Sequence, residues 1–260
     1  MSSLLIKIIT VISYLAMIVV NFLANGLPIN NRSTGEISDA YPNLFAPAGL
    51  TFSIWGLIYL LLAGYTIYQL LPAGKMIGQK NEGLLRRINL LFILSSLANI
   101  SWIFAWHYDL IGLSVVIMAI ILILLIKISD IVRLGQLTKE ERLFVATPFS
   151  VYFGWITVAA IANISVFLVS QGWNGFGVAD YVWTSIVLLV GTLIGTLRMH
   201  KDKNIAYGMV LVWAYSGILI KHLSQTGFGG QYVSVIITTI ACIVIFIVAT
   251  SIIYKNRYKQ

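Results

Sequence analysis

Long apolar stretches, broken by short polar turns, run almost the whole length of the chain. Eight of them can be delimited, at about 4–24, 47–71, 88–106, 110–127, 144–170, 180–198, 205–221 and 231–254. Each approaches the roughly 20 residues that cross about 30 Å of hydrocarbon as a helix. Only a helix or a closed barrel satisfies its own backbone polar groups in that medium. The pattern therefore predicts an all-α fold, a polytopic membrane helical bundle of about eight transmembrane helices.

Charge then orients the bundle. With both termini on one side, all of the 17 Lys and Arg residues except Arg32 and Lys221 fall on that side. The inner segments carry Lys7, Lys75, Lys80, Arg86, Arg87, Lys127, Arg133, Lys139, Arg142, Arg198, Lys201, Lys203, Lys255, Arg257 and Lys259. Such a positive-inside bias predicts cytoplasmic N- and C-termini. Only 10% of residues are charged and 59% are hydrophobic, far from the roughly 25% charged of a soluble domain. The net charge of +8 reads as loop anchors facing anionic lipid, and nucleic acid is not expected as a partner. The single cysteine, Cys242, lies in the last apolar run and reads as a small buried hydrophobe. The first run lacks a clear small-x-small cleavage site at its end, so it reads as an uncleaved helix.

The first outer loop, about 25–46, is polar and punctuated by Pro28, Gly35 and Pro42. It is long enough to be a lid, and a solvated connector is the competing reading. Glu82, Asp130, Glu140 and Glu141, in the basic inner loops, read as solvated helix ends. No Asp or Glu falls in the middle of a predicted helix, which argues against proton or cation coupling. His107, Lys127, Lys221 and His222 fall near helix ends, where snorkelling accounts for them. There is no acid–base pair, activated nucleophile, phosphate-cradling glycine loop or Cys/His cluster. No enzyme activity, metal or resident cofactor is expected on that ground.

Aromatic and amide groups recur at helical spacing instead. Phe52, Trp55 and Tyr59 share a face of the second helix, and Asn99, Trp102 and Trp106 share one of the third. On the fifth, Tyr152 and Asn163 lie nearly three turns apart, with Trp155 on the same side. Asn in hydrocarbon must find a partner, so both asparagines are expected to point into the bundle. Two readings remain open: interhelical glue with aromatic filler, or a flat-walled pocket with two amides orienting a planar ligand.

These motifs, in this order, resemble the tryptophan-rich sensory protein (TspO/MBR, translocator protein) family. Pro47, Trp55 and Tyr59 sit in its second-helix register within APAGLTFSIWGLIYLLLAG. Asn99-Ile-Ser-Trp102, followed by Phe104 and Trp106, matches its third helix. Tyr152-Phe-Gly-Trp155, with Asn163 eight residues later, matches its fifth. The sequence departs from the family in having a single Pro in Ala46-Pro47-Ala48-Gly49, and Leu44 and Phe45 where tryptophans are common. The resemblance implies a five-helix core over residues 1–175, with the outer loop 25–46, followed by three additional helices over 176–260. It also implies binding of a planar apolar ligand, a tetrapyrrole such as haem or porphyrin or a sterol-like molecule, for sensing or transport. Pro47, Phe52, Trp55, Tyr59, Asn99, Trp102, Trp106, Tyr152, Trp155 and Asn163 would line that site.

A permease or exporter of a small amphipathic solute, without ion coupling, is the alternative. Light- or oxygen-dependent tetrapyrrole degradation is the enzymatic one. Gly191 and Gly195 form a GxxxG, suited to internal packing or to a homodimer. Trp213, Tyr215 and Ser216 on the seventh helix could extend a pocket, although a mid-bundle Trp more often fills space. A multi-pass protein of a bacterial plasma membrane is the expected setting.

Overall fold

The computed structural model describes residues 3–27, 29–71 and 82–257. Pro28, Lys75, Lys80 and Lys259, named above, lie outside the described residues. In chain order the α-helices are α1 (Ser3–Gly26), α2 (Thr34–Asp39), α3 (Ile54–Tyr68), α4 (Glu82–His107), α5 (Ile111–Leu134), α6 (Lys139–Glu141), α7 (Thr147–Ser170), α8 (Asp180–Asp202), α9 (Ile205–Leu223) and α10 (Val233–Arg257). Among the described residues, eight helical stretches are long and apolar enough to cross a membrane, one for each apolar run of the sequence. The chain is a multi-pass integral membrane protein.

Several helices outrun the hydropathy that announces them. α4 begins at Glu82 because Glu and Arg are good helix formers outside the hydrocarbon. α7 is preceded by α6 and a π-helical turn, Arg142–Ala146. Pro148, which has no N–H to give the carbonyl four residues back, follows that turn. The wide turn fits the gap: the Thr147 N–H reaches back to the Arg142 carbonyl. Thr138 and Glu141 close α6 with a capping box, each side chain bonding the other's backbone N–H. Glu141 is thus a buried cap and not a solvated helix end.

The chain divides into two compact units. The first comprises the described residues of Met1–Thr34 and Trp55–Phe153, and the second those of Gly35–Ile54 and Gly154–Gln260. Within the first, α4 packs against both α1 and α5. α1 buries its more polar stripe, Thr10, Ser13, Tyr14, Met17 and Asn21, and exposes Leu4, Ile8, Ile12, Leu15, Val19 and Phe22. That inversion suits lipid, where apolar burial drives no association and small or hydrogen-bonding groups make the contacts. Tyr65, Phe92 and Phe149 meet edge to face, with centroids 4.8–5.7 Å apart. Beside them, Tyr65 donates to Asn89, and Asn89 donates to Gln69 Oε1 at 3.1 Å.

Within the second unit, α10 packs on α8 and α9. The GxxxG face is occupied inside this unit: Tyr215 and Ile161 lie over Gly191, and Leu211 and Phe246 over Gly195. The Tyr215 hydroxyl donates to the Leu188 carbonyl at 3.0 Å. Cys242 is buried and in no disulfide, as its place in the last run suggests. Arg198 and Asp202 form an ion pair one turn apart on α8, at 2.7 Å.

Candidate functional site

The loop between α1 and α3 is neither a bare connector nor a free flap. Its first part is tied to the end of α4 in the first unit. His107 bonds the Ile29 carbonyl through Nδ1 at 3.0 Å and lies 3.2 Å from Thr34 Oγ1 through Nε2. Asn30 donates to the His107 carbonyl at 2.9 Å, the Trp106 indole donates to the Thr34 carbonyl at 3.2 Å, and Arg32 pairs with Asp109. Its second part is tied to α9 in the second unit. Lys221 pairs with Asp39 at 3.1 Å, and His222 Nε2 donates to the Leu44 carbonyl at 2.8 Å. The Ala48 N–H donates to the Gly217 carbonyl at 3.0 Å, and the Trp213 indole to the Thr51 carbonyl at 3.0 Å. Both histidines are fully buried and hold loop backbone, so snorkelling is not their role.

A polar and aromatic cluster of the first unit lies on α1, α3, α4 and α7. Asn99 is 1% exposed. Its Oδ1 accepts from Asn21 Nδ2 at 2.6 Å, and its Nδ2 reaches the Tyr152 hydroxyl at 3.5 Å. Asn21 also donates to the Met17 carbonyl at 2.8 Å. The first contact is short and strong; the second is at the outer limit of a hydrogen bond. The Trp55 ring stands 5.9 Å from Tyr152 and stacks on Tyr59 at 5.4 Å with 22° between planes. Tyr14 donates to the Tyr59 carbonyl at 2.9 Å, which fixes α1 against α3 at this level. Trp102 and Trp106 stack on each other at 5.4 Å along α4.

The sequence-derived site residues thus divide. Trp55, Tyr59, Asn99, Trp102, Trp106 and Tyr152 belong to the first unit; Pro47, Phe52, Trp155 and Asn163 belong to the second. In the second, Phe52 and Trp155 meet edge to face at 5.9 Å. Pro47 is half-buried beside the Ala48 anchor, and Asn163 is buried on α7. Phe52 does not continue the helical face of Trp55 and Tyr59, because it lies in the 3₁₀ turn Gly49–Ser53 that precedes α3. Asn21 and Tyr14 complete the cluster although no motif singles them out. Their signal is nonetheless in the sequence: Thr10, Tyr14, Met17 and Asn21 follow the i, i+4, i+7, i+11 spacing of one helix face.

Comparison with known proteins adds one match. A family model described as TSPO-like protein matches residues 7–253, which includes α8, α9 and nearly all of α10. No curated protein matches the chain. No solved structure matches it either.

Proposed function

From the premise that this chain belongs to the TSPO-like protein family, we propose that it binds a planar apolar ligand at the amide–aromatic cluster of the first unit. The observation that carries the reading is the unequal bonding of Asn99: its oxygen is held at 2.6 Å, while its nitrogen has only a 3.5 Å contact. Asn21 therefore orients the amide and leaves its donor side weakly committed. An acceptor on a ligand's polar edge would improve on the Tyr152 contact, since a short, straight hydrogen bond in low dielectric outweighs a long one. The faces of Trp55, Tyr59 and Tyr152 would supply stacking area. A tetrapyrrole or a sterol-like molecule has that combination of flat apolar body and polar edge. These rings touch one another, so the ligand enters by parting them, and that movement is the step a sensor or transporter would use. Binding without chemical conversion is the reading that the residues support. The setting we propose is a bacterial plasma membrane with both termini cytoplasmic.

Tryptophan-fluorescence quenching of the purified protein by protoporphyrin IX, haem and a sterol panel tests the proposal. Saturable quenching, weakened in Asn99→Leu and retained in Asn163→Ala, is expected. Quenching that Asn99→Leu leaves unchanged would exclude this site. No saturable quenching by any ligand, with saturable solute flux in proteoliposomes, would favour a permease instead.

A further inference from the structure

The turn from α7 to α8 holds an aromatic cluster in a backbone that side chains avoid. Gly175, Phe176 and Gly177 take φ values of +61°, +53° and +76° in succession. Glycine adopts that left-handed region freely, whereas Phe meets its own carbonyl there. The turn is nevertheless firmly built. Asn174 Oδ1 accepts from the Phe176 N–H at 3.1 Å, and the Val178 N–H donates to the Gly175 carbonyl at 3.0 Å. The Trp183 indole donates to the same Gly175 carbonyl at 2.7 Å. A Cβ at Gly175 would stand 2.9 Å from that indole, so the ring and the backbone are in close contact. Trp173 tilts against Trp183 at 5.2 Å, and Phe176 meets the Trp173 edge at 5.7 Å.

This construction leaves Trp173 37% exposed and turns the Phe176 ring outward most fully. Phe176 is 81% exposed, more than any other large apolar side chain among the described residues. Residues 171–179 carry no charge. Past the exposed Asp180, which opens α8, apolar exposure resumes along that helix through Tyr181, Val182, Ile186 and Leu189. Water gives no reason to hold a phenyl ring out against its backbone preference. The boundary between headgroups and acyl chains does, and Trp and Tyr gather there because their indole N–H and hydroxyl stay wet while their rings do not.

We propose that the Trp173–Trp183 turn is an interfacial anchor that inserts the Phe176 ring into the lipid surface at the start of α8. Its partner is the bilayer itself: the uncharged turn stands next to the exposed apolar face of a membrane-spanning helix, and the single charge between them, Asp180, suits the headgroup level. The anchor fixes the depth at which α7 ends and α8 begins.

The test uses the full chain in proteoliposomes, in a Cys242→Ser background. Phe176→Cys is labelled with bimane, Val178→Cys serves as a second reporter should substitution at 176 loosen the turn, and Gln225→Cys is the control. Gln225 is exposed in the turn that follows α9. The expected result at 176 and 178 is blue-shifted emission, lost severalfold in lipid brominated near the headgroup and little affected by aqueous iodide. The control should show the opposite. Iodide quenching at 176 and 178 equal to that at 225, with no effect of brominated lipid, would overturn the proposal. So would rapid disulfide cross-linking between two copies of the Phe176→Cys variant at low protein density, which would assign the ring to a second copy of the chain.

Discussion

The Asn21–Asn99 contact can be measured as a coupling energy. Asn99→Leu keeps the volume of the side chain nearly constant, so the cavity contribution is small. It strands one N–H of Asn21, whose other N–H still donates to the Met17 carbonyl at 2.8 Å. A buried donor left without a partner costs about 1–3 kcal/mol. Interhelical hydrogen bonds in membranes average about 0.6 kcal/mol and reach about 1.7 kcal/mol. At 2.6 Å and nearly full burial, the bond itself belongs in the upper half of that range, at about 1–1.5 kcal/mol, and the stranded donor brings the cost of Asn99→Leu to about 2 kcal/mol. Asn21→Leu strands the Asn99 oxygen and should cost a similar amount. The double variant leaves nothing stranded between them, and should be about 1–1.5 kcal/mol less destabilised than the sum of the singles. Reversible unfolding in mixed micelles titrated with dodecyl sulfate measures the cycle. The 3.5 Å Asn99–Tyr152 contact provides a contrast: its cycle with Tyr152→Phe should give a coupling below about 0.5 kcal/mol. Additivity of Asn21 and Asn99 to within about 0.3 kcal/mol would refute the reasoning.

Other expectations follow from the loop anchors and the helix starts. A Cβ at Gly217 would collide with the Thr51 side chain, so Gly217→Ala should lower stability by about 1–3 kcal/mol and speed amide exchange at 48–51. Thr51→Gly removes the three atoms nearest to this Cβ and should restore most of the loss; no restoration would place the strain elsewhere. Trp106→Phe deletes the indole bond to the Thr34 carbonyl and should cost about 1–2 kcal/mol, with added protease sensitivity between α1 and α3. Thr138→Ala opens the capping box and should cost about 1 kcal/mol in the same unfolding assay, while Thr138→Ser should cost little. A cysteine placed at residue 33 should be labelled from outside the cell and one at residue 137 only after permeabilisation; the reverse would invert the topology.

The eight spans are legible because hydropathy over about 20 residues depends on composition and not on partners. What escapes has a common physical origin. Glu82, Arg86 and Arg87 are polar, so they mark a loop on a hydropathy reading while favouring a helix. The π turn at Arg142–Ala146 follows from Pro148, but a proline alone does not say whether a helix kinks, stops or widens. Ile37, Leu44 and Phe45 are buried, yet they are scattered among polar residues without a period, so the packing of the α1–α3 loop leaves no pattern to read. The stripe Asn99, Trp102 and Trp106 is visible because it repeats at helical spacing on one helix. The partners Asn21 and Tyr14 lie 78 residues from Asn99 and 45 from Tyr59 respectively, and only the fold brings such separations together. Trp213 reads from its sequence position as filler; it is 40% exposed and spends its N–H on the Thr51 carbonyl.

Photoaffinity mapping tests the ligand site most directly. A photoreactive protoporphyrin or sterol would be irradiated on the protein in proteoliposomes, and its attachment points located by mass spectrometry. Adducts that saturate, that fall on peptides containing Trp55–Tyr59, Asn99–Trp106 or Tyr152, and that are lost in Asn99→Leu are the expected result. Adducts spread over lipid-facing residues such as Leu189, Leu193 and Leu197, unsaturated and unchanged in Asn99→Leu, would contradict it.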